Sequence, residues 1–349
     1  MKFARFAPII LIAVLVFAPP AIALAHSPVF PEDNHSPATA YQIDDPAKSW
    51  AIYNALEHDS GDYYKFTVSK GDRIQLSLLT PDSPSTSGFL PSLALLVPDL
   101  TQKDSLPLYV EVPANYGTIV VNGTDPGEAT YEAFSPGWFY EVGNLNINAP
   151  TDGTYLVVVF NHMHNDDMHN HTHQAASYGL VVGYIESFTP LELILVPYSA
   201  QEIYRWEGQN QFIILLPIIL TLIIGGVILY WRSQQDRAPQ GVSKWLAAFA
   251  GLAFLGSAVS TIYQVLLAFN VTGVTGEALI TLILIIISII LAVFTFMYAI
   301  RSKPTLTLWR RVVLIVIGII ALFLWSGLYI GPALVISAAL VPPYAAKKI

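Results

Sequence analysis

The sequence predicts an all-β extracytoplasmic domain, a jelly-roll-like β-sandwich, joined to an α-helical transmembrane bundle of four helices. Three observations carry this. Short β-rich runs separated by Gly, Pro, Asp and Asn clusters fill the first half. Long uninterrupted apolar runs fill the second half, which is the pattern a bilayer demands. The composition, 54% hydrophobic and 12% charged, is too apolar for one water-soluble domain.

Met1–Ala25 reads as a secretory signal peptide. Lys2 and Arg5 start it, Pro8–Ala18 is its apolar core, and Ala23-Leu24-Ala25 supplies the small-residue cleavage pattern. Cleavage there makes His26 the mature N-terminus, where the α-amine and the ring can chelate a metal together.

Residues 26–190 are expected to form the β domain. Tyr64, Phe66 and Val68 alternate with Tyr63, Lys65 and Thr67. Ile74, Leu76 and Leu78 alternate with Arg73, Gln75 and Ser77. A period of two means two strands, each burying one face, joined here by the Gly71-Asp72 turn. The run Pro136-Gly137-Trp138-Phe139-Tyr140 reads as core packing of a β insertion, or else as an aromatic surface for glycan or protein.

At Asp62-Tyr63-Tyr64-Lys65-Phe66, Gly71-Asp72, Gly153-Thr154-Tyr155 and Tyr178-Gly179-Leu180 the chain resembles the bacterial and archaeal pre-peptidase C-terminal domain. The resemblance covers roughly residues 34–186 and implies a β-sandwich used as an accessory binding or secretion module. Residues 100–150 are longer and more aromatic than that family's pattern, and its last hairpin here carries an added histidine-rich loop.

Residues 191–211 are a juxtamembrane segment. Tyr198, Tyr204 and Trp206 fit an interfacial belt, Pro190 and Pro197 break the chain before it, and a short helix is expected over Ser199–Gly208. Residues 212–335 hold four spans, at Phe212–Trp231, Trp245–Phe269, Ala278–Ile300 and Val312–Pro332, with residues 336–349 as a tail. Lys and Arg concentrate in loops 232–244 and 301–311 and are missing from loop 270–277. The β domain is therefore expected outside and the protein in the cell membrane. Four crossings also put the C-terminus outside, against the charge of Lys347 and Lys348. Gln264 is the most polar residue within a span, read as a helix–helix hydrogen bond.

The stretch richest in metal-ligating groups is 161–174, between the strand-like runs 155–160 and 178–185. His162, His164, His169, His171 and His173 supply imidazoles, Met163 and Met168 thioethers, Asp166 and Asp167 carboxylates. On an extended chain the two-residue spacing puts each histidine set on one side. Imidazole suits copper, zinc and nickel, and thioether adds a preference for copper(I). With His26 these residues form the expected site, with a transition metal, copper most of all, as its ligand.

No arrangement of acids, bases and nucleophiles forms a catalytic constellation, so a non-enzymatic role is expected. A net charge of −8 leaves no basic face for nucleic acid, and the absence of cysteine excludes disulfides and thiolate sites. The alternatives are a cell-surface adhesion module working through Trp138 and Tyr140, or an accessory subunit docking other membrane proteins on its helices.

Overall fold

A computed structural model describes residues 26–57, 59–83, 88–161, 175–235, 239, 241–301 and 307–341. The candidate signal peptide lies outside the described residues.

Among the described residues, eleven strands form two facing sheets. Those of the first sheet are β1 (Ser27–Val29), β3 (Trp50–Leu56), β5 (Arg73–Thr80), β8 (Thr130–Glu132), β9 (Gly137–Asn148) and β11 (Ala176–Val182). Their order across it is β1-β3-β11-β5-β9-β8. The second sheet holds β2 (Tyr41–Gln42), β4 (Gly61–Val68), β6 (Pro91–Pro98), β7 (Tyr116–Val121) and β10 (Gly153–Asn161), ordered β2-β4-β10-β6-β7. The pairs β1–β3 and β2–β4 are parallel and the remaining strand pairs antiparallel.

The alternation in the sequence selects the core. Tyr64, Phe66 and Val68 from one sheet meet Ile74, Leu76, Leu78, Leu180 and Val182 from the other, all buried. Water leaves that apolar surface, at about 1.5–3 kcal/mol for each fully buried large side chain. The Gly71-Asp72 turn does not close a hairpin: β4 and β5 lie in different sheets, so the turn crosses the sandwich. The same holds for β10 and β11, which the sequence presented as the last hairpin. β10 pairs with β4 and β6, and β11 with β3 and β5. Segment 161–175 therefore links the two sheets.

β6 and β10 are apolar on both faces because both are covered. Ala94, Leu96, Leu156, Val158 and Phe160 point away from the main core into a second one closed by Leu106, Tyr109 and Val110.

α1 (Pro190–Trp206) starts earlier than the expected 199. Thr189 and Glu192 form a capping box, and Pro190 sits in the first turn, where its missing N–H has no helical partner to lose. Pro197 lies inside the helix, where it cannot donate to the carbonyl four residues back. That carbonyl, of Leu193, accepts from Trp325 Nε1 at 2.8 Å. Lys48 Nζ meets Glu192 Oε1 at 2.6 Å and ties the start of α1 to the first sheet.

Three helices among the described residues are long and apolar enough to cross a membrane: α2 (Gln211–Ser233), α3 (Val242–Thr272) and α4 (Ala278–Arg301). The expected fourth span over Val312–Pro332 is not one helix. It is α5 (Leu308–Phe323), a turn, and α6 (Ile330–Leu340). Trp325, Gly327 and Leu328 all take positive φ in that turn, and a Cβ at Gly327 would press on Phe254. Trp325 and Tyr329 anchor it by donating to Leu193 O and Ile194 O. α6 folds back along α5, so Arg311 donates to Ala339 O (2.7 Å) and Ser243 to Ala338 O (2.6 Å). The described chain therefore ends at the basic end of the bundle, not the opposite end that four crossings imply.

The bundle and the β domain touch through defined bonds. Gln264 exchanges two amide hydrogen bonds with Gln209, in the α1–α2 junction, at 3.0 and 2.9 Å. Thr281 of α4 donates to Ala133 O (2.6 Å) and bonds the Tyr131 hydroxyl (2.9 Å).

Candidate functional site

Two parts of the β domain concentrate polar chemistry. One is the end of the sandwich where segment 161–175 attaches. Asp62, at the start of β4, points inward like Tyr64 and Phe66 and is fully buried. Burial pushes its carboxyl up, against hydrogen bonds from Tyr178 and His35 that hold it down. His35 Nδ1–H donates to Asp62 Oδ1 at 2.7 Å. Tyr178 Oη donates to Asp62 Oδ2 at 2.7 Å, and Asn54 Nδ2 reaches the same oxygen at 3.1 Å. Asn54 also reaches Asn34 Oδ1 (3.2 Å), and the Tyr64 and Tyr178 hydroxyls lie 2.5 Å apart. The His35 side chain keeps 51% of its surface exposed while its carboxylate partner keeps none.

This network sits beside both flanks of the histidine-rich segment. Val159 is the register partner of Asp62, two residues before Asn161. Tyr178, the Asp62 donor, is two residues after Ala176. Tyr109 Oη donates to the carbonyl of Asn161 itself. His162, Met163, His164, Asp166, Asp167, Met168, His169, His171 and His173 lie outside the described residues, as does His58.

His26 is not at this end. It precedes β1, whose Ser27 aligns with Trp50, while Leu56 at the far end of β3 aligns with Ala176. The seven residues of β3 separate them, about 20 Å of strand. His26 Nδ1 is 2.5 Å from Ser49 Oγ, and burial holds its pKa down.

His26 instead lines the second region, a cavity of 280 Å³ on the outer face of the first sheet beneath α1. The alternation that buries Ile74, Leu76 and Leu78 turns Gln75, Ser77 and Leu79 into this cavity. Glu132, Glu141, Glu186 and Glu207 share its wall with Tyr53, Trp138 and Trp206. Burial pushes the Glu207 carboxyl up to about 8, opposed by bonds from Gln209 and the Trp138 backbone and reinforced by Glu132. Glu132 is raised as well, first by burial. Gly137 lets this happen, because a Cβ there would collide with Glu207 Oε1.

Trp138 is not a free aromatic surface. It packs with Tyr131 and Phe134 against Ala268 and Phe269 of α3. Sequence reading missed both the His35–Asp62 pair and the carboxylate cavity, because neither has a local spacing signature. Among the described residues, no group of three or more His, Asp or Glu is arranged to hold one metal ion.

No family model matches the chain, and no curated protein matches it. Solved structures that resemble part of it include two copper-binding proteins. One is CorA, described as a surface-associated copper-binding protein important in copper acquisition by Methylomicrobium album BG8. It is 14% identical, with 46% of this chain and 99% of that chain covered and a TM-score of 0.20. The other is MopE, a secreted protein of Methylococcus capsulatus described as binding copper with the help of an oxidized tryptophan. It is 13% identical, with 45% and 98% covered and a TM-score of 0.20. Similarity at this level supports no inference about fold or ligand.

Proposed function

We propose that the chain is a membrane-anchored extracytoplasmic protein that binds a transition metal, copper first and zinc second, through its His/Met-rich segment 161–174. Capture, delivery or sensing of the ion is the role this implies. The observation that carries the reading is the His35–Asp62 pair at the point where both flanks of that segment leave their strands. An imidazole that gives its Nδ1–H to a buried carboxylate keeps the Nε2 lone pair for a metal, with ring orientation and basicity set by the carboxylate. His35 supplies such an imidazole, half exposed, next to a segment holding five more. Interleaved histidine and methionine without cysteine favour copper, and Asp166 and Asp167 suit zinc. The basic residues at one end of the bundle favour that end as cytoplasmic, which leaves the β domain outside.

The test is metal titration of the full-length protein in lipid nanodiscs, without an affinity tag, using copper(I), copper(II) and zinc. A variant with His162, His164, His169, His171 and His173 all changed to Ala is run beside it. Stoichiometric sub-micromolar binding lost in the variant supports the reading. Weak binding, equal for all three ions and unchanged in the variant, refutes it.

A further inference from the structure

The cavity beneath α1 is independent of the metal reading, and its chemistry is specific. Four glutamates reach it from separate places: Glu132 from β8, Glu141 from β9, Glu186 after β11, and Glu207 at the end of α1. No Lys or Arg stands among its described lining residues. Without a counter-charge a buried carboxyl such as Glu207 keeps its proton, and a bound cation would let it ionise.

The kind of cation follows from the walls. No three described acids or histidines converge as a bare divalent ion requires. Aromatic side chains line the same cavity. Tyr53 meets Trp206 edge to face at 5.0 Å between centroids, and Trp138 lines the same space. Ring faces attract a diffuse ammonium charge, while carboxylates attract it from the sides. A volume of 280 Å³ fits a compact molecule at the low end of ligand-site sizes. Glu207 already accepts from Gln209 at 3.1 Å and from the Trp138 backbone, and a carboxylate has lone pairs to spare for a further donor.

We propose that this cavity binds a small organic cation of the ammonium class, held between the glutamate carboxylates and the rings of Tyr53, Trp138 and Trp206.

The experiment uses the full chain in nanodiscs at constant ionic strength. Choline and tetramethylammonium are titrated against tryptophan fluorescence and by calorimetry. The uncharged isostere of choline, 3,3-dimethylbutan-1-ol, is the control. The expected result is saturable binding of at least one cation, with at least about tenfold preference over the alcohol, reflecting a charge-assisted contact. Glu132→Gln and Glu207→Gln should each weaken it about tenfold, and Trp138→Ala about threefold. Should either Gln variant lose its cooperative thermal transition, Glu141→Gln at the exposed rim replaces it, with about threefold weakening expected. No saturation with either cation, equal binding of the alcohol, or unchanged affinity in the folded Gln variants each overturns the proposal.

Discussion

The two ends of β11 hold opposite chemistries. At its start, Tyr178 closes a fully paired network around Asp62, and the half-exposed imidazole of His35 stands beside the flanks of the histidine-rich segment. Past its other end, Gly183 and Glu186 border a cavity walled by carboxylates and aromatic rings, which His26 joins. One end presents nitrogen donors suited to a borderline or soft metal. The other gathers carboxyl groups and aromatic rings around one cavity, surroundings that suit an organic cation. A buried carboxyl group can be held ionised by protein donors or be left to keep its proton, as Glu207 does. Asp62 has three protein donors. Glu207 has one backbone and one amide donor, and no Lys or Arg lines its cavity among the described residues.

Separate perturbation of the two ends sharpens the contrast. The largest effect is expected from changing all five histidines of 162–173 to Ala. Copper affinity should fall at least about 100-fold in titration while choline binding at the cavity stays the same, since each lost imidazole removes a coordinate bond. Equal loss at both sites would merge them into one. Next comes Asp62→Ala, which removes the shared acceptor of His35, Tyr178 and Asn54 and leaves only the Tyr64 and Asn34 contacts to the latter two. Chemical denaturation should register about 2–4 kcal/mol of lost stability, whereas Asp62→Asn should lose less because it keeps an acceptor. A smaller effect belongs to His35→Ala, with copper affinity down about tenfold and the thermal midpoint lowered less than in Asp62→Ala, because Asp62 keeps Tyr178 and Asn54 as donors. A large drop in midpoint would make His35 structural instead.

The smallest concerns pH. The Glu207 carboxyl lies at about 8 in the fold, against an ordinary 4.5, so the folded state holds its proton more tightly than the unfolded chain. The stability this contributes is fully present below 4.5 and lost as pH rises through 8. Thermal midpoints measured across that window should decline in the wild type and decline less in Glu207→Gln. Parallel slopes would remove Glu207 from the cavity's charge balance.

Much of the architecture was legible in the chain. The alternation at 63–68 and 73–78 gave strands with the right faces inward, because a strand's period of two is local geometry. Three apolar runs gave α2, α3 and α4 within a few residues, since a bilayer sets the length of a span directly. Which sheet each strand joins was not legible. Turns at Gly71-Asp72 and across 161–175 carry no mark that they cross between sheets. The fourth span misled for the same reason. Leu308–Leu340 is apolar throughout the break, and the turn at 324–329 is held by bonds to Leu193 and Ile194, more than 100 residues away in sequence.

The candidate sites divide in the same way. By itself the sequence determined where the metal-ligating side chains are concentrated, because histidines two residues apart declare themselves within one short segment. Only the tertiary structure decided that His35 meets Asp62 there, that His26 lies at the other end of the strand, and that four glutamates from distant elements share one cavity. Composition and periodicity act over a few residues. Charge–charge proximity, burial and hydrogen-bond partners act over a few ångströms, and the fold alone converts one into the other.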